Sequence, residues 1–186
     1  INRFNRSDPG VILDDHFLAV LKKALTTFQE TNGIFDVTVQ PLVQAWGFGA
    51  KKINTLPDSA AITTIKNCIG SDNLQVYGNK VVKKKPCIKV DFNGIAQGYT
   101  VDLIAGLLDQ HGLVNYLVEL GGEIRVRGRK QPGNEKMKVG IETPGEDEFE
   151  RSIMRKVIAI DEGAITTSGN YRRFYETEGK KVSHLI

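Results

Sequence analysis

The second half of the sequence consists of short strand-like runs joined by turns, and this feature limits the fold more than any other. The runs "VNYLVEL" (114–120) and "EIRVRG" (123–128) flank Gly121 and Gly122, a glycine pair typical of a β-hairpin. Further strand candidates follow at residues 137–144, 152–161, 163–169 and 171–186. Because hairpin-linked strands form antiparallel or mixed sheets, we expect an α+β fold with a mixed, largely antiparallel sheet and packed helices. A doubly wound α/β fold is not expected.

Helical periodicity occurs mainly in the first half of the chain. Between Asp14 and Thr31, apolar residues recur at steps of three and four, which predicts an amphipathic helix that ends at "TNG" (31–33). Shorter helices are predicted within residues 38–46 and 58–68, the second with Asp58 as its N-cap. Residues 73–78 and 80–90 are predicted to be strands, joined by a turn at Gly78 and Asn79.

The composition excludes two classes of partner from this chain. With 186 residues, of which 40% are hydrophobic, the chain can bury a core as one domain or as two small lobes. Its 25 Lys+Arg and 22 Asp+Glu residues are scattered, apart from "VVKKKP" (81–86), which we interpret as a solvated strand end or turn. A nucleic-acid-binding surface is therefore not expected. No apolar run approaches the roughly twenty residues that span a bilayer.

Cys68 and Cys87 have neither CxxC spacing nor a second pair that would complete a zinc site. Cysteine is also common as a small buried residue. We therefore expect two unrelated cysteines rather than a disulfide.

The stretch "DFNGIAQGYTVD" (91–102) has two glycines, which we expect at the entrance of a helix and before its body rather than inside it. The helix is predicted to continue to about Gly112. The spacing of Gly94 and Gly98 does not match the G-x-G-x-x-G dinucleotide fingerprint. Glycines nevertheless allow the backbone to approach a ligand closely, and a helix start favours an anion such as a pyrophosphate. A purely structural turn explains the same glycines equally well.

Four stretches, in this order, resemble the ApbE family of FAD:protein FMN transferases over essentially the whole chain: "GIFDVTVQPLVQAWGFG" (33–49), "FNGIAQGYTVD" (92–102), "LVELGGEIRVRG" (117–128) and "TTSGNYRRFYETEGKKVSHLI" (166–186). The resemblance implies that the protein splits the pyrophosphate of FAD with Mg²⁺. It also implies that FMN is linked through a phosphoester to a Thr or Ser hydroxyl of a target flavoprotein of an electron-transfer system, with release of AMP. An FAD pyrophosphatase and a non-catalytic FAD-binding module are the alternatives.

The resemblance also implies roles for individual residues. His184 matches the motif histidine and is the candidate general base. The carbonyl oxygen of Ala96 matches a Mg²⁺ ligand, which is chemically reasonable because hard cations take oxygen ligands. The candidate flavin-binding residues are Trp46, Gly47, Phe48, Asn93, Gly94, Tyr99, Thr167, Ser168 and Ile186. Arg172 and Arg173 are interpreted as surface residues, and His16 and His111 as structural ones.

The comparison with the family pattern further implies a single ApbE-like domain over residues 1–186 that is incomplete at both ends. The remaining metal ligands of the family would follow Ile186, and a segment that contributes to FAD binding would precede Ile1. We therefore expect the 186 residues alone not to transfer FMN. The resemblance also places the protein in the bacterial periplasm or on the outer face of the inner membrane, held there by a lipid anchor.

Overall fold

The computed structural model of the protein describes residues 1–6, 11–51, 53, 55–142, 154–169, 174–177 and 180–183. The helices are α1 (Asn2–Arg6), α2 (Asp15–Glu30), α3 (Gln40–Ala45), α4 (Ser59–Lys66) and α5 (Ala96–Gln110). The strands are β1 (Val11–Ile12), β2 (Leu74–Tyr77), β3 (Lys80–Lys83), β4 (Tyr116–Leu120), β5 (Glu123–Arg127), β6 (Arg129–Lys130), β7 (Glu135–Glu142), β8 (Met154–Ile160), β9 (Glu162–Ile165), β10 (Phe174–Thr177) and β11 (Lys180–Ser183). The described strands pair antiparallel, which confirms the predicted α+β class.

The chain divides into two compact units. The first unit comprises Ile1–Ala96 and Arg173–Ile186, and the second comprises Gln97–Arg172. The first contains α1 to α4 with the sheets β1-β3-β2 and β10-β11, and the second contains nearly all of α5 with the sheets β4-β5-β9 and β6-β7-β8. The interpretation of residues 1–186 as a single domain stays a prediction.

Helix α2 supplies much of the core of the first unit and begins where the sequence predicts. The side chain of Asp14 accepts a hydrogen bond of 2.8 Å from the N–H of Phe17, which satisfies a donor that has no partner within the helix. Phe17, Leu21 and Ala24 are buried on one face. The predicted N-cap of α4 is also confirmed, since the side chain of Asp58 accepts from the N–H of Ala61 at 2.7 Å.

Three aromatic rings and one lysine pack together in the core of the first unit. The ring of Phe17 lies 5.3 Å from that of Phe4 and 5.0 Å from that of Phe92, measured between centroids. Lys83 is only 2% exposed, and its ammonium donates to the carbonyl of Phe4 at 2.7 Å while lying over the Phe4 ring. Interpreting the whole lysine run as solvated was therefore wrong for Lys83, although Lys84 and Lys85 are exposed.

The strand predicted over residues 80–90 is shorter than expected. It pairs with β2 across the Gly78–Asn79 turn but ends at Lys83, and the chain from Lys84 to Val90 is irregular. Pro86 has no N–H to donate to a strand ladder. Cys87, the next residue, forms a disulfide with Cys68, with 5.5 Å between the Cα atoms. The expectation of two unrelated cysteines was therefore wrong, because residues distant in sequence are adjacent here.

The core of the second unit lies between α5 and the sheet β4-β5-β9. Val101 and Ala105 of α5 pack with Tyr116 and Val118 of β4, and Leu108 extends the contact. Because these three residues of α5 are spaced four and three positions apart, they lie on one apolar face of the helix. The predicted hairpin is present, since Leu120 pairs with Glu123 across Gly121 and Gly122.

Within the described ranges, we find no helix of sufficient length and apolarity to cross a bilayer.

Candidate functional site

Trp46, Gly47 and Phe48 directly follow α3 in the first unit. The N–H groups of all three donate to carbonyl oxygens of α3 at 2.9 to 3.1 Å, so this segment is held against the end of the helix. Gly47 has a φ of +82°, a conformation that glycine adopts without the penalty of a side chain. Trp46 and Phe48 are both half-buried.

The loop that follows Phe48 folds back onto Gln44. The amide of Gln44 donates to the carbonyl of Lys51 at 2.7 Å and accepts from the N–H of Lys51 at 3.1 Å. A Cβ atom on Gly49 would lie 2.8 Å from the Cα of Gln44, so only glycine permits this approach. The loop is thus anchored at both ends, which fixes the Trp46–Phe48 segment between two sets of hydrogen bonds.

A buried polar network lies ten residues before Trp46, and sequence reasoning missed it. The carboxylate of Asp36 accepts from the N–H and hydroxyl of Thr38 at 2.8 and 2.6 Å, and from the N–H and hydroxyl of Ser71 at 3.1 and 2.7 Å. The hydroxyl of Thr38 in turn accepts from the N–H of Gly70 at 2.7 Å. No local pattern links Asp36 with a serine 35 positions later.

The glycine-containing stretch before α5 contacts the same part of the first unit. The N–H of Asp91 donates to the carbonyl of Val37 at 2.7 Å, and a Cβ on Gly94 would lie 3.6 Å from the Phe35 ring. The carboxylate of Asp91 accepts from the N–H and the side-chain amide of Asn93, at 2.7 and 3.2 Å. The segments around two of the four stretches singled out in the sequence are therefore neighbours in the first unit, joined by the hydrogen bond from Asp91 to Val37.

The two glycines of this stretch are not equivalent. Gly94 precedes α5, as predicted, whereas Gly98 is the third residue of the helix and lies inside its first turn. Ala96 is the first helical residue, and Tyr99 is half-buried one turn later. The expectation that both glycines precede the helix was therefore wrong for Gly98.

Residues of three segments converge in the second unit. A Cβ on Gly121 would overlap the side-chain amide of Gln97, and a Cβ on Gly122 would lie 3.8 Å from the hydroxyl oxygen of Thr167. The beginning of α5, the β4–β5 turn and the stretch after β9 are thus neighbours. Thr167 and Ser168 are exposed, so their hydroxyls are accessible.

A charged cluster lies at the other end of the same hairpin. The hydroxyl of Tyr116 donates to Asp109 at 2.9 Å, and Arg127 donates to the same carboxylate. These two hydrogen bonds, that of Tyr116 first, lower the pKa of Asp109. Burial, and then the bond to Asp109, raises the pKa of Tyr116. An open groove of about 510 Å³ borders Arg127, but none of the predicted site residues lines it.

The metal predicted from the resemblance is only partly matched by the described residues. Magnesium requires about six oxygen ligands in octahedral geometry, and Ala96 offers one carbonyl oxygen. No cluster of three or more His, Cys, Asp or Glu residues that could hold a metal occurs in the described part of the chain. The described residues therefore do not form a complete Mg²⁺ site. His184, Ile186, Arg172 and Arg173 lie outside the described residues.

The order of these segments along the chain is matched by a known family. A family model described as the ApbE family matches residues 1–186. The chain belongs to the ApbE family. The resemblance recognised from the four stretches is thereby confirmed.

Individual ApbE relatives agree with this assignment. A curated protein of Vibrio cholerae named "FAD:protein FMN transferase" is 36% identical over 190 residues, which cover 100% of this chain and 55% of that protein. The solved structure of the flavin transferase ApbE from Vibrio cholerae has a TM-score of 0.83 at 35% identity, covering 99% of this chain and 58% of that one. The ApbE protein of Thermotoga maritima has a TM-score of 0.86 at 27% identity, with coverages of 100% and 59%. The chain spans about half the length of the curated relatives it matches.

Proposed function

We propose that this protein transfers FMN from FAD to a Thr or Ser hydroxyl of a target flavoprotein and releases AMP. The proposal is supported by membership of the ApbE family and by relatives that are named FAD:protein FMN transferases. The observation that carries it is the convergence of Gln97, the Gly121–Gly122 turn and Thr167. Segments far apart in sequence meet at the beginning of α5, where a helix favours an anionic ligand such as a pyrophosphate.

The proposed reaction is a phosphoryl transfer. A bond forms between the target hydroxyl oxygen and the phosphorus atom of the FMN half, while the bond from that phosphorus to the bridging oxygen breaks and AMP leaves. Such reactions depend mainly on positioning and on charge stabilisation. We assign His184 as the base that accepts the hydroxyl proton, because an imidazole titrates near neutral pH.

We assign the flavin to Trp46, Phe48 and Tyr99, whose aromatic rings suit contact with a flat ring system. All three residues are half-buried rather than fully buried, which is compatible with contact to a ligand. The proposal includes dependence on Mg²⁺, which when bound would offset pyrophosphate charge, with the Ala96 carbonyl as one ligand. It also includes an electron-transfer flavoprotein as the partner and a periplasmic or membrane-outer-face, lipid-anchored location.

The test is mass spectrometry of the full-length protein incubated with FAD, Mg²⁺ and a Thr-containing domain of a candidate flavoprotein. We expect the domain to gain the mass of an FMN group and one equivalent of AMP to appear. His184→Ala should abolish the gain. The matched control is His111→Ala, which removes an exposed imidazole near the end of α5 and should leave the transfer unchanged.

The other outcomes decide between the alternatives. Free FMN and AMP with an unmodified target would indicate an FAD pyrophosphatase. If FAD stays intact in the presence of Mg²⁺, the protein would be a non-catalytic flavin-binding module. FMN transfer by the His184→Ala variant would show that the protein is a transferase but that His184 is not its general base.

A further inference from the structure

We propose that Asp36 is a positioning residue of the flavin site, which fixes the Trp46–Phe48 segment relative to the glycine-containing stretch before α5. Its carboxylate lies at the start of the helical segment that leads to Trp46. The inference rests on the proposed function, because Trp46 and Phe48 are assigned to the flavin there. All of the residues that carry it belong to the first unit.

On one side, Asp36 fixes the beginning of the segment that ends at Trp46. Its carboxylate accepts from the N–H and the hydroxyl of Thr38 and so caps a single 3₁₀ turn, Val37–Val39. This turn continues into α3, since Val39 and Gln40 at the junction both have helical backbone angles. A short helical segment moves as a unit, so its orientation at Asp36 determines where Trp46 lies.

On the other side, the same carboxylate is bonded to a distant segment by buried groups. It accepts from the N–H of Ser71 at 3.1 Å and from the Ser71 hydroxyl at 2.7 Å. Thr38 and Ser71 are 0% and 1% exposed, so water cannot readily take the place of the carboxylate. Asp36 therefore cannot turn away without leaving buried donors unpaired, which makes this connection rigid.

The glycine-containing stretch is held by contacts that do not involve Asp36. Cys87, four residues before Asp91, forms the disulfide with Cys68. The side-chain amide of Asn5 accepts from the N–H of Val90 at 2.8 Å and donates to its carbonyl at 2.9 Å. The chain that enters the stretch is thus fixed by a disulfide and by hydrogen bonds to α1.

One hydrogen bond joins this fixed chain to the turn that Asp36 caps. The N–H of Asp91 donates to the carbonyl of Val37 at 2.7 Å. Without the Asp36 carboxylate, this bond remains but the four bonds that orient the turn are lost. We therefore expect the glycine-containing stretch to stay in place while α3 and Trp46 become displaced from it, and small displacements of positioning groups are costly.

The first test compares two variants of Asp36 by their Kd for FAD in the full-length protein. Asp36→Ala removes all four bonds and should raise the Kd about tenfold, the lower end of the range for removing groups that support metal ligands. Asp36→Asn should raise it less. Its oxygen can keep the three bonds that Oδ1 accepts, and its amide replaces only Oδ2, the acceptor for the N–H of Ser71.

The second test observes Trp46 directly and requires no ligand. The full-length protein is labelled with fluorotryptophan, and the ¹⁹F NMR resonance of Trp46 is identified by its loss in Trp46→Phe. Asp36→Ala should shift or broaden this resonance, and Asp36→Asn should do so less. If Asp36→Ala does not fold, Asp36→Asn alone decides: a resonance and a Kd identical to those of the wild type would overturn the proposal.

Two control variants separate positioning from a general loss of stability. Leu21 is fully buried in α2, so Leu21→Ala should lower the thermal midpoint strongly. Asp72 is an exposed carboxylate next to the network. Measured where every variant is folded, both controls should retain the wild-type Kd and Trp46 resonance. The proposal is overturned if Leu21→Ala raises the Kd as much as Asp36→Ala, or if Asp36→Ala changes neither quantity.

Failure of the proposed function is recognised separately in the wild type. A wild-type protein that binds FAD but transfers no FMN would refute the transferase, while the Kd series would still decide on Asp36. If the wild type binds no FAD, the flavin site itself is wrong, and the role of Asp36 in it is refuted as well.

Discussion

Replacing Gly98 by alanine should stabilise the protein and weaken its binding of FAD. Gly98 is the third residue of α5, and a Cβ there would meet no heavy atom of the described residues within 4 Å. Glycine inside a helix costs about 0.5–1 kcal/mol relative to alanine, because it loses more backbone freedom on folding. Gly98→Ala should therefore raise the free energy of unfolding by about that amount.

The expected effect on FAD has the opposite sign. If the backbone at Gly98 approaches the pyrophosphate closely, the new methyl group intrudes on that contact. Forcing a methyl group into a packed contact costs about 1–3 kcal/mol. The Kd for FAD should then rise by about five- to 150-fold, since 1.4 kcal/mol corresponds to tenfold.

The same helix contains a matched control. Gly106 lies eight residues further along α5 and is half-buried like Gly98, and a Cβ on it would likewise meet no heavy atom of the described residues within 4 Å. Gly106→Ala should give a similar gain in stability with no change in FAD affinity. Urea unfolding and a flavin fluorescence titration measure the two quantities. An unchanged Kd for Gly98→Ala would refute the argument that glycine is needed for close approach.

Three further predictions follow from the contacts around the candidate site. Asp36→Ala leaves two N–H groups of buried residues without an acceptor and should lower the free energy of unfolding, measured in urea, by about 3 kcal/mol. Asp72→Ala removes an exposed carboxylate next to the network and should change the free energy of unfolding by no more than about 0.5 kcal/mol. Replacing Cys68 and Cys87 by serine should cost about 3 kcal/mol, and a dithiol reductant should destabilise only the wild type. The pKa of Asp109 is lowered by its two side-chain hydrogen bonds, so its contribution is present above about pH 4 and is lost as the pH falls through the lowered pKa. The difference in thermal midpoint between wild type and Asp109→Asn should therefore disappear in acid. A difference that does not change with pH would show that the ionised Asp109 carboxylate does not stabilise the fold through these hydrogen bonds.

Local patterns were sufficient to predict the elements whose signals are local. Asp14 and Asp58 were identified as helix starts, and their side chains do accept from N–H groups of the first turn. Glycine pairs and the Gly78–Asn79 dipeptide indicated the hairpins, because few residues adopt the required φ angles. These features depend on neighbours within four or five positions of the chain.

Features that depend on distant residues could not be predicted in this way. The Cys68–Cys87 disulfide and the bonds from Asp36 to Ser71 join segments 19 and 35 positions apart. The burial of Lys83 depends on Phe4, 79 positions earlier. Nothing in the lysine run itself distinguishes this residue from its exposed neighbours.

The candidate site was indicated by sequence motifs, but its internal contacts were not. Gly121 and Gly122 indicate a hairpin and belong to one of the four stretches that resemble the family, but the sequence does not predict which residues they contact. The structure adds that Gln97 lies against one and Thr167 beside the other. The first contact depends on the packing of α5 on β4 and the second on the pairing of β9 with β5, and neither arrangement is visible in a local sequence pattern.

The central claim is that FMN passes to a protein hydroxyl rather than to water. The most direct measurement is one turnover of the full-length protein with FAD, Mg²⁺ and the target domain in ¹⁸O-labelled water, followed by mass spectrometry of all products. We expect FMN on a Thr or Ser of the target, with no ¹⁸O in the attached FMN or in the released AMP. An unmodified target, together with one ¹⁸O atom in FMN or AMP, would contradict the claim.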